Sequence, residues 1–383
     1  MFESENATDV SLPFMPSQSP ATRPDAMFVP NNVLDLLTTV IDVWINLLVC
    51  VTGVVTNSIC VAVFCRLGFK DTVSITMTAI SLWDLVKVFC GMMHRLFGPV
   101  SLVDRAMGKS WENITFTKLT YIHVISGNVS AVIAGYVAIE RCLCVSLPFK
   151  VKWLLTPKLT FALTLALSVV VFFSYFCILL IFDIHWVYSA DFAAYIAVYT
   201  YNTFYKTHGQ IFFKAYTWFH FIYPFLSLVA MISSTLIIAY HLMKAPKFKT
   251  YGSNLTFVSS QRIKTDQSNP SLTSGQALKE DNPMTPREKQ VVKMLLVVIG
   301  VFIANQGPRF IHVFAMILVP EYYPLRLYHN LIMTVMCFVS FLDFFNASVG
   351  LFIFLKMSSK FKAAFFDLFH VKFKCETSTV KKS

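Results

Sequence analysis

The stretch AIERCLCVSLPFKVKWLL, residues 138–155, places an acid and a base side by side where a long apolar run ends. Glu140 and Arg141 close that run, and proline, basic and aromatic residues follow at once. A guanidinium at the edge of a bilayer is tolerated only if it reaches the interface or pairs with an acid. The stretch therefore predicts the boundary of a membrane-spanning helix.

The composition indicates an integral membrane protein. The 383 residues are 56% hydrophobic and 14% charged, whereas soluble domains carry about 25% charged residues. Apolar residues also occur in blocks of about 20, which is enough to cross the bilayer core as a helix. We predict an all-α membrane fold, a seven-transmembrane helix bundle at residues 38–355 with spans 38–65, 72–94, 119–143, 158–182, 214–242, 291–318 and 329–355.

Lysine and arginine residues predict the orientation of the bundle. The loops after the first, third and fifth spans, together with the C-terminal tail, carry most of the 32 basic residues. We expect that side to be cytosolic and the protein to lie in the plasma membrane. Residues 1–37 then form an extracellular N-tail, in which Asn6 heads an Asn-Ala-Thr glycosylation sequon. Polar residues 243–290 form a disordered cytosolic loop. The net charge of +11 fits such loops and lipid contact rather than nucleic-acid binding.

The sequence after the last span alternates bulky apolar and basic groups, in KMSSKFKAAFFDLFHVKFKC. This pattern predicts an amphipathic interfacial helix at residues 356–375, followed by a short C-tail at residues 376–383. Cys375, at the end of the helix, is a candidate for palmitoylation. The alternative is an unmodified cytosolic cysteine.

Several motifs resemble those of the rhodopsin-like, class A, G-protein-coupled receptors. Besides Glu-Arg-Cys at the end of the third span, the matching positions are Gly53, Asn57, Asp84, Pro148, Pro224 and Pro308. The resemblance extends over residues 38–375, and ERCLCVSLPFKVK with KMSSKFK is most similar to invertebrate chemosensory and neuropeptide-like receptors, particularly molluscan ones. It implies a receptor that couples an unknown extracellular ligand to a heterotrimeric G protein, with arrestin and membrane lipid as further partners.

The chain departs from that family at four places. No cysteine lies near Phe116 or within residues 183–213, so the extracellular disulfide of the family is not expected. Residues 305–308 read Asn-Gln-Gly-Pro where the family has Cys-Trp-x-Pro. Residues 350–354 read Gly-Leu-Phe-Ile-Phe where it has Asn-Pro-x-x-Tyr, and the fourth span lacks its usual tryptophan.

The resemblance gives the opening stretch a role in coupling. Glu288 lies where the family has its sixth-span acid, and an ion pair with Arg141 would hold the third and sixth spans together at the cytosolic side. We expect Glu140 to share in this latch, and Pro148 and Phe149 to contact the G protein. The alternative is an ordinary interfacial arginine.

A second polar group occupies positions where the family binds a sodium ion. These residues are Asp84, Ser130 and Asn346, whose oxygen atoms suit a hard cation. No cofactor other than this allosteric ion is expected. The alternative is a water-filled polar core without a bound ion.

Polar residues in the outer half of the bundle form the predicted ligand site, because such groups are costly inside a membrane unless they have partners. They are His94, His123, Asn128, His220, Gln306, Arg309, His312 and Asp343. Arg309, together with Lys87 deeper in the second span, could bind an anionic group of the ligand. Alternatively the cations pair internally, Lys87 with Asp84 and Arg309 with Asp343.

No motif of a hydrolase, a nucleotide-binding loop or a zinc site is present in the sequence. We therefore predict a ligand-activated receptor and not an enzyme. The main alternative is an ion channel or secondary transporter whose path is lined by the buried charges, although the inverted repeats of such transporters are not visible. A membrane enzyme built from the histidines is a third reading, but they lie on different spans without motif spacing.

Overall fold

The computed structural model describes residues 28–147, 155–244, 286–319, 321–322 and 326–369. Most of the predicted N-tail and cytosolic loop, and the C-tail at residues 376–383, lie outside these ranges.

Helices account for most of the described residues. They are α1 (Asn31–Leu67), α2 (Thr72–Val103), α3 (Arg105–Ser146), α4 (Pro157–Ser174), α5 (Thr203–Lys244), α6 (Pro286–Leu318), α7 (His329–Ser348 continued by Gly350–Met357) and α8 (Ser359–Leu368). Among these residues, six helices have the length and apolar composition needed to cross a membrane, namely all except α6 and α8. Helix α6 has 33 residues, more than the roughly 20 that span a bilayer core. The predicted helical membrane bundle is confirmed.

Three helices begin well before the apolar segments that predicted them. α1 begins at Asn31, α3 at Arg105 and α5 at Thr203. The start of α3 is capped by Asp104, whose carboxylate accepts hydrogen bonds from two backbone N–H groups at 2.8 and 3.1 Å. Its first turns carry polar residues on one side, so a search for apolar runs does not detect them.

A β-hairpin follows α4, where the sequence analysis expected only a loop. A short 3₁₀ segment (Phe176–Leu180) leads into β1 (Phe182–Ser189), which pairs antiparallel with β2 (Ala194–Tyr201). Both strands are rich in aromatic and β-branched residues, which favour extended backbone. We call this side of the bundle the hairpin end and the opposite side the Arg141 end.

Helix α3 runs through the centre of the bundle and packs against α2, α4, α5 and α6. Its side chains Ile125, Val129 and Ile133 are fully buried. Large apolar side chains on the outside of the helices, such as Leu48 and Leu236, are exposed, as expected for surfaces that face lipid.

Close packing joins α1 to α7 at the motif that contains Gly53 and Asn57. A Cβ atom on Gly53 would come within 2.5 Å of the Ser348 hydroxyl, so only glycine permits this approach. The Asn57 amide donates to the Ala347 carbonyl at 2.8 Å, and Thr56 donates to the Ser348 carbonyl at 3.1 Å. These bonds satisfy carbonyl groups just before the break in α7.

Helix α8 lies across the Arg141 end. The Ser358 hydroxyl caps its first turn by accepting from the Phe361 N–H at 3.2 Å. Phe361 is buried against Phe64 and Phe354, with ring centroids 5.0 and 5.4 Å away. Its lysines are exposed, so α8 has the two faces predicted for an interfacial helix. The predicted range extended to residue 375, but the structure is described only to residue 369.

Candidate functional site

A buried arginine organises the first polar cluster of the bundle interior. Nη2 of Arg309 donates to Oδ1 of Asn128 at 3.2 Å and lies 3.4 Å from both ring nitrogens of His220. Nδ2 of Asn128 in turn donates to the Tyr175 hydroxyl at 3.1 Å. We call Asn128, His220 and Arg309 the Arg309 cluster. It joins α3, α5 and α6, and Tyr175 connects it to the chain that leads into the hairpin.

An ion pair between α2 and α7 forms the second cluster. Nζ of Lys87 lies 2.8 Å from Oδ1 of Asp343, with both side chains largely buried. Gly127 of α3 faces the pair, because a Cβ there would lie 3.3 Å from Lys87 and 3.6 Å from Asp343. The glycine therefore leaves the space in which the pair forms.

The sequence analysis considered ion pairs of Lys87 with Asp84 and of Arg309 with Asp343, and the structure shows neither pair. Lys87 pairs with Asp343 and not with Asp84. Arg309 contacts the neutral groups Asn128 and His220 in place of Asp343. The reason is tertiary geometry, since Lys87 reaches α7 across the space that Gly127 leaves open.

The remaining residues predicted for ligand binding lie around these clusters. Nδ1 of His94 is 2.8 Å from the Thr115 hydroxyl near the start of α3. The His123 ring packs on Phe344 with centroids 5.1 Å apart. Gln306 is buried, and within the described residues its Oε1 has no hydrogen-bond partner. The sequence analysis did not identify Tyr175 as part of this site. In the sequence it is only a tyrosine towards the end of an apolar segment.

The predicted sodium residues lie at a small cavity further from the hairpin. Oγ of Ser130 donates to Oδ1 of Asp84 at 2.8 Å. Asp84, Asn346, Asn57 and Ser81 line a cavity of about 30 Å³. Within the described residues no group of three or more His, Cys, Asp or Glu side chains could hold a metal ion. The oxygen donors and the size of the cavity fit one small cation or one water molecule.

Arg141 makes a local ion pair at the opposite end. Its Nη2 donates to Oε1 of Glu140 at 2.8 Å and to the Thr72 hydroxyl of α2 at 3.0 Å. Glu140 is 1% exposed, and within the described residues its Oε2 and Nε of Arg141 have no partner. The predicted partner Glu288 is in α6, but its side chain lies outside the description. Asn6, Pro148, Phe149 and Cys375 lie outside the described residues.

Hydrogen bonds attach the hairpin to α3, near the place where the resemblance described above would imply a disulfide. Nδ2 of Asn113 donates to the Ala197 carbonyl at 2.7 Å, and the Ala197 N–H donates to Oγ of Ser110 at 3.1 Å. All three residues are buried. We call this group the clasp. The cysteines in the described ranges are all free, so hydrogen bonds and packing hold the hairpin here.

Aromatic packing supports the clasp. The Tyr199 ring stacks on Phe116 of α3 with centroids 5.2 Å apart, and Phe182 lies beside Tyr121 at 5.9 Å. Burial, and to a lesser degree the Glu112 carboxylate, raises the pKa of Tyr199 to about 12. The phenol therefore stays neutral, and its packing is insensitive to physiological pH.

We expect the hairpin end to resist reducing agents and to depend on Asn113. Asn113→Ala leaves the buried Ala197 carbonyl without its donor, which typically costs about 1–3 kcal/mol. The melting temperature of the purified protein and its surface level should both fall. Dithiothreitol should change neither of them in the wild type.

Lys109→Ala is the matched control, because Lys109 lies one turn before Asn113 on α3, and its side chain pairs with Glu112 at 2.8 Å. Such a part-exposed pair contributes little to stability. A melting temperature that drops in dithiothreitol would show that a disulfide holds this end.

Comparison with known families gives a match over most of the chain. A family model described as 7 transmembrane receptor (rhodopsin family) matches residues 46–347, which include the Arg309 cluster, the Lys87–Asp343 pair, Arg141 and the clasp. The search of curated proteins finds no match.

Proposed function

The chain belongs to the rhodopsin family of seven-transmembrane receptors, and from that premise we propose that it carries an extracellular chemical signal across the plasma membrane to a heterotrimeric G protein. It is a multi-pass membrane receptor, and receptors of this family generally couple to such G proteins. In this proposal the N-terminus and the hairpin end are extracellular and the Arg141 end is cytosolic. The signal is a chemosensory or neuropeptide-like ligand.

The Arg309 cluster is the observation that carries the ligand site. Buried polar groups from α3, α5 and α6 converge there, and Tyr175 links them to the hairpin side. The other groups proposed to line the site, at its edge or below it, are His94, His123, Gln306 and Asp343. A ligand that contacts α3, α5 and α6 can favour one arrangement of these helices, because it shifts an equilibrium by its difference in affinity for the two states.

The cytosolic part of the proposal is a latch at Arg141. In the resting state Arg141 would bind Glu288 of α6 as well as Glu140, and in the active state it would meet the G-protein helix. Pro148 and Phe149 would supply a further contact to the G protein. The Nε of Arg141, which has no partner within the described residues, supports the idea that the side chain has a further acceptor.

Five accessory features complete the proposal. A sodium ion held by Asp84, Ser130 and Asn346 would supply a positive charge that ties α2, α3 and α7 together, and the position of Asp84 and Asn346 at the small cavity supports this. Glycosylation of Asn6 and palmitoylation of Cys375 would mark opposite sides of the membrane. Lipid would bind the basic face of α8, and arrestin would use the same cytosolic surface as the G protein.

Ligand-free signalling tests this function without knowledge of the ligand. Glu288→Ala removes the proposed cytosolic partner of Arg141, and a charge pair at this edge of the membrane, partly screened by water, contributes on the order of 1 kcal/mol. We expect basal G-protein activation to rise roughly fivefold, measured with a G-protein dissociation sensor in cells that lack their own α-subunits and receive one at a time.

The control is Lys158→Ala, which removes an exposed charge at the start of α4 and should leave the basal signal unchanged at equal surface level. An ion current that persists without any G-protein α-subunit would favour the channel interpretation. Flat basal activity of Glu288→Ala with every α-subunit would overturn the latch.

A further inference from the structure

Strand β1 exposes large apolar side chains over most of its length. Trp186 is 62% exposed and Tyr188 is 58% exposed, and Ile184 and Val187 are exposed beside them. On β2, Tyr195 is exposed as well, and its ring packs edge-on against Tyr188 with centroids 5.5 Å apart. We call these five residues the hairpin patch. A contiguous apolar patch of this kind marks a surface that contacts another protein or a membrane.

The clasp shows which edge of the hairpin faces away from the bundle. The N–H and C=O groups of Ala197 bond to Ser110 and Asn113 of α3, so they point away from β1. Trp186 is paired with Ala197 across the hairpin. Because hydrogen-bonded and non-hydrogen-bonded pairs alternate in antiparallel strands, the N–H and C=O of Trp186 point to the outer edge. Among the described residues no further strand pairs with that edge, so β1 lies at the periphery, with β2 between it and α3.

The exposed surface of β1 continues the surface that α4 presents to lipid. Phe173 near the end of α4, and Phe176 and Leu180 in the 3₁₀ segment, are exposed. The rings of Phe173 and Phe176 lie 5.9 Å apart. No charged residue separates Phe173 from the start of β1 at Phe182. The lipid-facing surface of α4 therefore leads directly into the strand that carries the hairpin patch.

The residue types of the hairpin fit the headgroup layer of a bilayer. Tryptophan and tyrosine concentrate at membrane–water interfaces, where the ring contacts lipid and its polar atom contacts water. Residues 182–201 contain no lysine or arginine and include Asp183 and Asp191, so they do not attract anionic lipid. The quaternary ammonium of a choline headgroup, in contrast, stacks favourably on exposed Trp and Tyr rings. The backbone groups at the outer edge of β1 need water or headgroups as partners, which excludes the hydrocarbon core.

We propose that the hairpin patch lies in the headgroup layer of the adjacent leaflet and contacts zwitterionic choline lipid. The hairpin is then held on two sides, by the clasp to α3 and by the bilayer. The inference concerns the position of the hairpin, so it depends neither on G-protein coupling nor on which side of the membrane the hairpin end occupies.

Quenching of tryptophan fluorescence tests the location of Trp186. The full chain, with a single copy in each phosphatidylcholine nanodisc, is compared with Trp186→Phe, and the difference gives the emission of Trp186. Phosphatidylcholine brominated near the glycerol should quench this emission more strongly than lipid brominated at the chain ends, and water-soluble acrylamide should quench it weakly. Trp218 is 62% exposed on α5. Trp218→Phe is therefore the matched control, because the emission it removes should respond to brominated lipid.

The proposal is wrong if brominated lipid quenches the emission of Trp218 but not that of Trp186. Strong quenching of Trp186 by acrylamide would then show that the hairpin patch faces water. Protection from acrylamide without quenching by lipid would show that protein covers the patch. In single-copy discs that protein is another segment of the same chain, such as residues 1–27, whereas protection found only in discs with two copies identifies a second chain.

Amide hydrogen exchange tests whether the bilayer holds the hairpin in place. Trp186→Ser removes a ring that is mostly exposed, and in phosphatidylcholine discs we expect severalfold faster exchange at residues 183–188. His185→Ser is the matched control, because it places serine at a neighbouring exposed position of β1 and should leave the exchange rate unchanged. Equal exchange rates in the wild type and in Trp186→Ser would overturn the inference.

Discussion

Arg141→Ala is expected to reduce G-protein activation to background, in the wild type and in the Glu288→Ala variant alike. The substitution removes the group that we propose for contact with the G-protein helix, so no release of the latch can restore coupling. In the Glu288→Ala background the signal should fall at least tenfold, measured by the G-protein sensor at matched surface level. An ordinary interfacial arginine would affect expression alone.

Stability must be separated from coupling in this experiment. Glu140 is buried and accepts a hydrogen bond from Arg141, so Arg141→Ala leaves its carboxylate without the guanidinium 2.8 Å away. Removing one partner of a buried pair costs about 3–5 kcal/mol. The double variant Glu140→Gln, Arg141→Ala removes that charge and should recover the melting temperature but not the signal. Recovery of both would mean that Arg141 acts through stability alone.

Lys87→Met is expected to produce a large loss of stability. It leaves the Asp343 carboxylate buried without the ammonium group 2.8 Å away, at a cost of about 3–5 kcal/mol. The midpoint of thermal unfolding of the purified protein should fall accordingly.

The companion variants identify the partner. Asp343→Leu combined with Lys87→Met removes both charges, and its stability should return close to that of the wild type. Asp84→Leu combined with Lys87→Met should not recover, because Asp84 bonds to Ser130 and not to Lys87. If the Asp84 double variant recovers instead, the ion pair between α2 and α7 is wrong.

The sequence predicted the features that repeat along a helix, and it failed for those that depend on distant neighbours. The seven spans and the position of Arg141 at a helix end follow from apolar length and from the cost of a charge in lipid. The sequence did not allow the ion-pair partner of Lys87 to be predicted. Asp84 is three residues away on the same helix, whereas Asp343 lies on α7 and is brought to Lys87 only by the packing of the helices.

The hairpin end shows the same division. Alternating aromatic and β-branched residues in both strands could have indicated a hairpin, but the segment was treated as a loop between spans. Asn113 was noticeable only as the start of an Asn-Ile-Thr sequon. The Asn113 amide donates to a backbone carbonyl 84 residues away. Every residue has such a carbonyl, so the sequence does not reveal which one accepts the bond.

Because the clasp consists of hydrogen bonds, we expect the hairpin to be in equilibrium between a state attached to α3 and a detached state. Each of its hydrogen bonds contributes about 0.5–1.5 kcal/mol net, whereas a disulfide would close this connection covalently. Local opening of such an attachment requires no reductant and proceeds through the thermal fluctuations that amide hydrogen exchange detects. We therefore expect the hairpin to detach and reattach within the lifetime of one folded molecule, and under the proposed function the rate of this opening would limit how fast a ligand reaches the interior.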